Sequence, residues 1–224
     1  MKKTISILGS TGSIGLSTFK IVDKKKNFFK INLLAANKNF SLICKQIKKY
    51  KPNIFVISNK STYEKIKKKF EKKKIIILNN FDKKNLTKSD YTITAIPGIA
   101  GLNPTLIMIK LSKNILIANK ESVICGWSLI KKKAKKNKTK IIPIDSEHFS
   151  IFKLLKHQDN DEIKKIYLTA SGGPFLNYSK KMILKVKPSE AIKHPTWKMG
   201  KKISIDSATL TNKTFEVIEA QKLF

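Results

Sequence analysis

The sequence predicts an α/β protein: a Rossmann-like, doubly wound parallel sheet followed by a smaller α+β domain. Short β-rich runs alternate with longer amphipathic stretches through the first 144 residues. Those runs are apolar throughout rather than alternating with polar residues, which suits strands buried on both faces of a parallel sheet. The first run leads through a glycine-containing loop directly into a helical pattern, the order of a doubly wound fold.

In chain order, strands are expected at residues 4–8, 31–35, 54–57, 75–78, 91–95, 114–118 and 140–144. Helical periodicity fills the gaps at 14–22, 40–50, 61–70, 103–111 and 122–137. The pattern changes near Asp145, so a first domain over 1–144 and a second over 145–224 are predicted. The second begins with a helix at 149–155 and a strand at 163–169. A long irregular stretch follows over 170–202, then a short strand at 203–205 and a helix from about 208 to 223.

Composition narrows the possible partners. Of 224 residues, 47 are Lys or Arg and 15 are Asp or Glu, a net charge of +32, and every one of the 47 is Lys. Such a chain should attract polyanions. Yet the lysines are scattered in short runs on polar helix faces, no cluster interleaves aromatics for base stacking, and the guanidinium that reads bases is absent. Lys, Ile and Asn in place of Arg, Val and Asp is what an AT-rich genome produces at tolerant surface sites, so no nucleic-acid partner is expected. At 41% hydrophobic residues the chain can bury a core. No apolar run nears the ~18–20 residues of a membrane-spanning helix, and the start shows no secretory leader. Two cysteines, Cys44 and Cys125, are too few for a disulfide framework. A reducing, cytoplasmic setting is the expectation.

Seven segments carry possible chemistry. Gly9-Ser10-Thr11-Gly12-Ser13-Ile14-Gly15 follows a strand and opens a helix. Its backbone can approach a phosphate while the helix N-terminus supplies N–H groups and partial positive charge. The spacing G-x-x-G-x-x-G differs from the usual dinucleotide fingerprint. After the second strand stands Ala36-Asn37-Lys38-Asn39, where an NAD site would place an acid on the ribose 2′-hydroxyl. Asn and Lys suit a 2′-phosphate, so NADP is favoured, although Lys38 is also an ordinary turn residue in a lysine-rich chain. Asn119-Lys120-Glu121-Ser122 lies at a strand's carboxyl end, where ligands bind in such sheets, and reads equally well as a plain helix start.

Asp145-Ser146-Glu147-His148 follows the last strand of the first domain. Two acids two residues apart share a face in extended backbone and can ligate one hard cation, while His148 reads as a packing residue. Ser171-Gly172-Gly173-Pro174 forms either a plain turn or an anion-binding loop. The stretch His194 to Lys202 carries Trp197 and Met199, either a lid or a piece of core. Finally, Ser207 precedes Asn212, Lys213 and Glu216; Asn212 and Glu216 are four apart on one helical face, as a site or as a surface pair.

In combination these segments resemble the 1-deoxy-D-xylulose 5-phosphate reductoisomerase family, the NADPH-dependent enzymes of non-mevalonate isoprenoid synthesis. GSTGSIG, ANKES, DSEH, SGGPF, HPxWxMGxKIS and DSATxxNKxxE occur in the family's order from Ile5 to Phe224. The resemblance implies that Thr11, Gly12, Ser13 and Ile14 hold the pyrophosphate. It assigns Asn37, Lys38 and Asn39 to the 2′-phosphate end, and Asn119, Glu121 and Gly200 to further cofactor contacts. Asp145, Glu147 and Glu216 correspond to ligands of Mg²⁺ or Mn²⁺. Lys120, Ser146, Glu147, Ser171, His194, Ser207, Asn212, Lys213 and Glu216 correspond to contacts with a small phosphorylated sugar, with Lys120, Glu147 and His194 as the catalytic set. Trp197 and Met199 match a mobile lid over 172–202. The implied activity converts 1-deoxy-D-xylulose 5-phosphate to 2-C-methyl-D-erythritol 4-phosphate, in a second domain that is catalytic. Asn37 stands where the family commonly has Gly. The family's C-terminal helical region is missing, so a truncated chain with little turnover is expected, and a homodimer when the chain is full length.

Overall fold

The computed structural model describes residues 1–81, 85–156, 163–193 and 200–224. They divide into two units, Met1–Asp145 and Ser146–Phe224.

The first unit alternates strand and helix: β1 (Lys3–Leu8), α1 (Ser13–Lys24), β2 (Phe29–Ala36), α2 (Phe40–Tyr50), β3 (Ile54–Ile57), α3 (Lys60–Lys69) and β4 (Ile76–Leu78). Then come β5 (Ser89–Thr94), α4 (Leu102–Ile109), β6 (Ser112–Ile117), α5 (Lys120–Asn137) and β7 (Lys140–Pro143). All neighbouring strands pair in parallel, in the order β4-β3-β2-β1-β5-β6-β7. The chain winds outward from β1 to β4, returns to β5, and winds outward the other way. The gap between β1 and β5 is therefore the topological switch point, where ligands bind in open sheets.

Apolar runs become central strands because both their faces are covered. Ile7, Leu8, Leu33, Leu34, Ile54, Phe55 and Ile57 are shut from solvent. Phe19 and Val22 of α1, Ile43, Cys44 and Ile47 of α2 and Ile66 of α3 pack with β1, β2, β3 and β5 as one core. Each such side chain contributes about 1.5–3 kcal/mol through burial. Asparagine caps three of the helices: Asn39, Asn59 and Asn119 accept hydrogen bonds from the backbones of Leu42, Thr62 and Ser122. At the amino end of the sheet, Asp90 accepts from the backbone N–H and hydroxyl of Thr4 and pairs with Lys113 at 2.9 Å. These bonds hold its carboxyl down to about 2.

The second unit contains α6 (Ser146–Leu155), α7 (Lys180–Ile183), α8 (Pro188–Ala191), α9 (Lys201–Ala208) and α10 (Thr211–Leu223). Its described residues include no strand, which corrects two expectations. Residues 163–169 are apolar enough for a strand but form no hydrogen-bond ladder with another of the described residues. The alternating Ile203-Ser204-Ile205 belongs to α9, where the Ser204 N–H donates to the Gly200 carbonyl at 3.0 Å, a helical i to i−4 bond. The single helix expected from 208 is broken before Thr211 by Leu210, whose φ of 57° is left-handed. Among the described residues no helix is long and apolar enough to cross a membrane.

Candidate functional site

In the first unit the sequence-flagged segments gather at one edge because every strand points the same way. The loops after β1, β2, β6 and β7 carry residues 9–15, 37–39, 119–121 and 145. Gly9 turns the chain at the switch point with φ +88°, and a Cβ there would overlap the Ala95 carbonyl oxygen. The N–H groups of Gly9 and Ser10 both donate to the Ala35 carbonyl, at 2.9 and 2.8 Å. That bond pair ties the loop after β1 to the end of β2. Gly12 is the N-cap of α1, and no side chain caps it. Gly12 and Ser13 are exposed while Thr11 and Ile14 are half-buried. Asn37, Lys38 and Asn39 are exposed beside the start of α2, where the Asn39 Oδ1 accepts from Leu42 at 3.1 Å.

Asn119 behaves differently from its neighbours. It is 3% exposed, and its amide faces inward. Oδ1 accepts from the Ser122 N–H at 2.6 Å, while Nδ2 donates to the Ile96 and Gly98 carbonyls and to Glu121 Oε2. Asn119 therefore staples the loop after β5 to the first turn of α5. Lys120 and Glu121 are half-buried beside it, and Asp145 is half-buried at the end of this unit.

In the second unit α6 and α10 bring together residues 66 or more apart in sequence. The Lys213 ammonium lies 3.4 Å from Glu147 Oε1 and 2.5 Å from Glu216 Oε2. It also donates to the Thr169 carbonyl. The Ser146 hydroxyl donates to Glu147 Oε2 at 2.7 Å, and the Asn212 amide donates to Glu216 Oε1. Burial raises the Glu147 carboxyl, but the Ser146 hydroxyl, a backbone N–H and the Lys213 charge outweigh it and hold the group below its ordinary value. Two carboxylates facing a shared positive charge make a cation seat. Their hard oxygen donors suit Mg²⁺ or Mn²⁺ better than a soft metal.

The two serine-bearing segments meet each other. The loop holding Ser171 continues into Gly173, whose φ is +68° and whose Cβ would meet the Ser207 carbonyl oxygen at 2.9 Å. The Ser171 loop thus packs on the end of α9. Gly200 is the exposed N-cap of that helix. His194, Trp197 and Met199 lie outside the described residues.

His148 was expected as a packing residue and is one, but the partners it fastens were not read from the sequence. His148 is fully buried, and its Nε2–H donates to the Glu216 carbonyl at 2.9 Å while Nδ1 stands 3.9 Å from Glu219. It fastens α6 to α10, and so Glu147 to Glu216. Glu219, one turn beyond Glu216 on the same face, was the available signal.

A seven-stranded parallel sheet with an uncapped glycine loop at its switch point defines a Rossmann-like α/β protein. A family model described as 1-deoxy-D-xylulose 5-phosphate reductoisomerase matches residues 5–126, and that of the C-terminal domain of the same enzyme matches residues 141–224. The chain belongs to the 1-deoxy-D-xylulose 5-phosphate reductoisomerase family. It is 49% identical over 227 residues to the reductoisomerase of Pelagibacter ubique (strain HTCC1062), covering 99% of this chain and 58% of that relative. With the reductoisomerase of Caldanaerobacter subterraneus subsp. tengcongensis the identity is 44% over 226 residues, covering 100% and 59%. Among solved structures, DOX-P reductoisomerase in complex with NADPH, fosmidomycin and magnesium gives a TM-score of 0.91 at 37% identity, covering 99% of this chain and 58% of that one. The Zymomonas mobilis reductoisomerase in complex with NADPH gives 0.88 at 34%, covering 100% and 58%. The chain thus spans less than two thirds of the length of these relatives.

Proposed function

We propose that the chain carries the cofactor and metal–substrate machinery of an NADPH-dependent reductoisomerase that turns 1-deoxy-D-xylulose 5-phosphate into 2-C-methyl-D-erythritol 4-phosphate. The observation that carries this reading is the convergence of Glu147 and Glu216 on one positive charge. The relatives solved with NADPH and with magnesium support it.

In this reading Thr11, Gly12, Ser13 and Ile14 receive the pyrophosphate on the N-terminus of α1, where unpaired N–H groups welcome an anion. Lys38 neutralises the 2′-phosphate beside Asn37 and the N-terminus of α2. Asn119 acts on the cofactor by holding its loop, with Glu121 next to it, and Gly200 adds a further contact. Glu147 and Glu216 would hold a divalent cation, and the family resemblance assigns Asp145 to it as well. When bound, that ion polarises the substrate carbonyl and acidifies the neighbouring hydroxyl, and the reduced nicotinamide supplies the hydride.

The chain's own residues do the rest. Lys213, with Asn212, Ser171 and Ser207, is assigned to the substrate phosphate, and a divalent ion held by Glu147 and Glu216 would replace the positive charge that Lys213 now gives them. The phosphate anchor is remote from the reacting carbons, so its binding energy serves to orient them. Lys120, Ser146 and His194 are assigned to the substrate backbone, with Trp197 and Met199 over it.

Fluorescence titration tests the cofactor assignment. NADPH should bind the chain at least about tenfold more tightly than NADH, since a 2′-phosphate on a cationic site gains more than 1.4 kcal/mol. Equal or tighter binding of NADH would overturn it.

A further inference from the structure

We propose that Gln46 is the positioning residue for the pyrophosphate loop, a role that rests on reading residues 9–15 as the dinucleotide cradle. Gln46 sits two turns into α2 and is 4% exposed, on a face otherwise made of Ile43, Cys44 and Ile47. Burying a primary amide among apolar side chains is costly unless both of its ends are bonded. Here both are, and to one residue. The Ser10 hydroxyl donates to Gln46 Oε1 at 2.8 Å, and Gln46 Nε2 donates to the Ser10 carbonyl at 2.9 Å. Ser10 itself is fully buried.

This clasp fixes the buried part of the loop, at Ser10. Ser10 is held on one side by the Ala35 carbonyl and on the other by Gln46. Thr11 is half-buried, and the next two residues, Gly12 and Ser13, are the ones that open to solvent. Gly12 N–H folds back onto the Gly9 carbonyl at 3.0 Å, so the exposed N–H groups of the turn inherit their direction from Gly9 and Ser10. A methionine or leucine at position 46 would fill the same space with no desolvation cost. What the amide adds is direction. Because Asn39 and Gln46 are seven residues apart on α2, one helix both starts at the 2′-phosphate end and grips the pyrophosphate loop. The two phosphate subsites are thereby held at a set separation.

A loop that is competent only part of the time weakens apparent affinity by that fraction. The test uses the full 224-residue chain, Gln46→Met, Ser10→Ala and the double variant. Each is titrated with NADPH and, separately, with adenosine 2′-monophosphate, which lacks the pyrophosphate. Gln46→Met should raise the NADPH dissociation constant about tenfold, as for a loop competent roughly a tenth of the time. Its affinity for adenosine 2′-monophosphate should be unchanged. Ser10→Ala, which removes one of the two bonds, should cost about threefold in NADPH affinity. The double variant should bind no worse than Gln46→Met, because both changes break the same clasp. If Gln46→Met does not fold, the split between the two ligands in Ser10→Ala decides. Unchanged NADPH binding in a folded variant, or equal weakening for both ligands, would overturn the role of Gln46 and leave the cofactor reading standing. A wild-type chain that binds adenosine 2′-monophosphate but not NADPH would overturn the cradle and this role with it.

Discussion

The unit Met1–Asp145 shuts away Ile7, Leu8, Leu33, Leu34, Ile43, Ile54 and Phe55, whereas in Ser146–Phe224 the buried side chains are mostly polar. Among the described residues of the second unit, Ile151 is the one buried hydrophobic side chain, beside His148, Ser204, Glu216 and Glu219. Tyr167, Leu176 and Leu184 are exposed there, at 81%, 68% and 86%. Apolar burial is non-directional and tolerates small shifts. Buried polar contacts are directional and depend on every partner being present and correctly charged. The first unit should therefore behave as a frame, and the second as a set of groups held by their mutual charges.

The largest expected effect tests the frame. Leu34→Ala should cost about 3–5 kcal/mol, the range for emptying a tightly packed core site. Ile151→Ala, with less packing around it, should cost about 2 kcal/mol, the low end of the same range. Denaturant melts of both variants check this, and equal losses would erase the distinction between the units.

Next in size is Glu216→Gln. The variant keeps an acceptor for Asn212 but leaves Lys213 with Glu147 and the Thr169 carbonyl, a loss of about 2 kcal/mol for a charge-assisted bond. Mn²⁺ affinity, measured by calorimetry or electron spin resonance, should fall by more than about 10-fold, since even outer groups of metal sites cost that much. A variant as stable as the wild type with Mn²⁺ binding intact would remove Glu216 from the site.

The smallest effect concerns acid. Asp90 is held at about 2 in the folded chain against an ordinary 3.8. Its contribution to stability is thus full above 3.8 and is lost as the pH falls through about 2. Asp90→Asn should remove that part of the acid dependence from the first unit. An unchanged slope of stability against pH between those values would show that Thr4 and Lys113 do not stabilise the charged form.

Much of the frame was legible in the sequence. Residues 40–50 and 54–57 were expected as a helix and a strand with the bounds observed for α2 and β3, and the other first-unit elements fall within about two residues. The glycine loop was found from its place between a strand and a helix. The second unit was less legible, because Ile203-Ser204-Ile205 alternates like a strand and no local pattern marks the break at Leu210. For the site, the chemical types were readable but their partners were not. The sequence marked Asn119 but not the Ile96 and Gly98 carbonyls to which its amide donates. Gln46, a polar residue on an apolar helical face, gave a signal that passed unread.

The sequence by itself determined the α/β class, the parallel sheet and the residue types available for phosphate and cation binding. Apolar periodicity and turn chemistry are written in contiguous residues, so they need no knowledge of where the chain goes next. Only the tertiary structure decided that Lys213 stands between Glu147 and Glu216, that His148 fastens α6 to α10, and that Gln46 grips Ser10. Each of those contacts joins groups on separate elements. A hydrogen bond acts over about 3 Å, so such pairings exist only once the chain has folded back on itself.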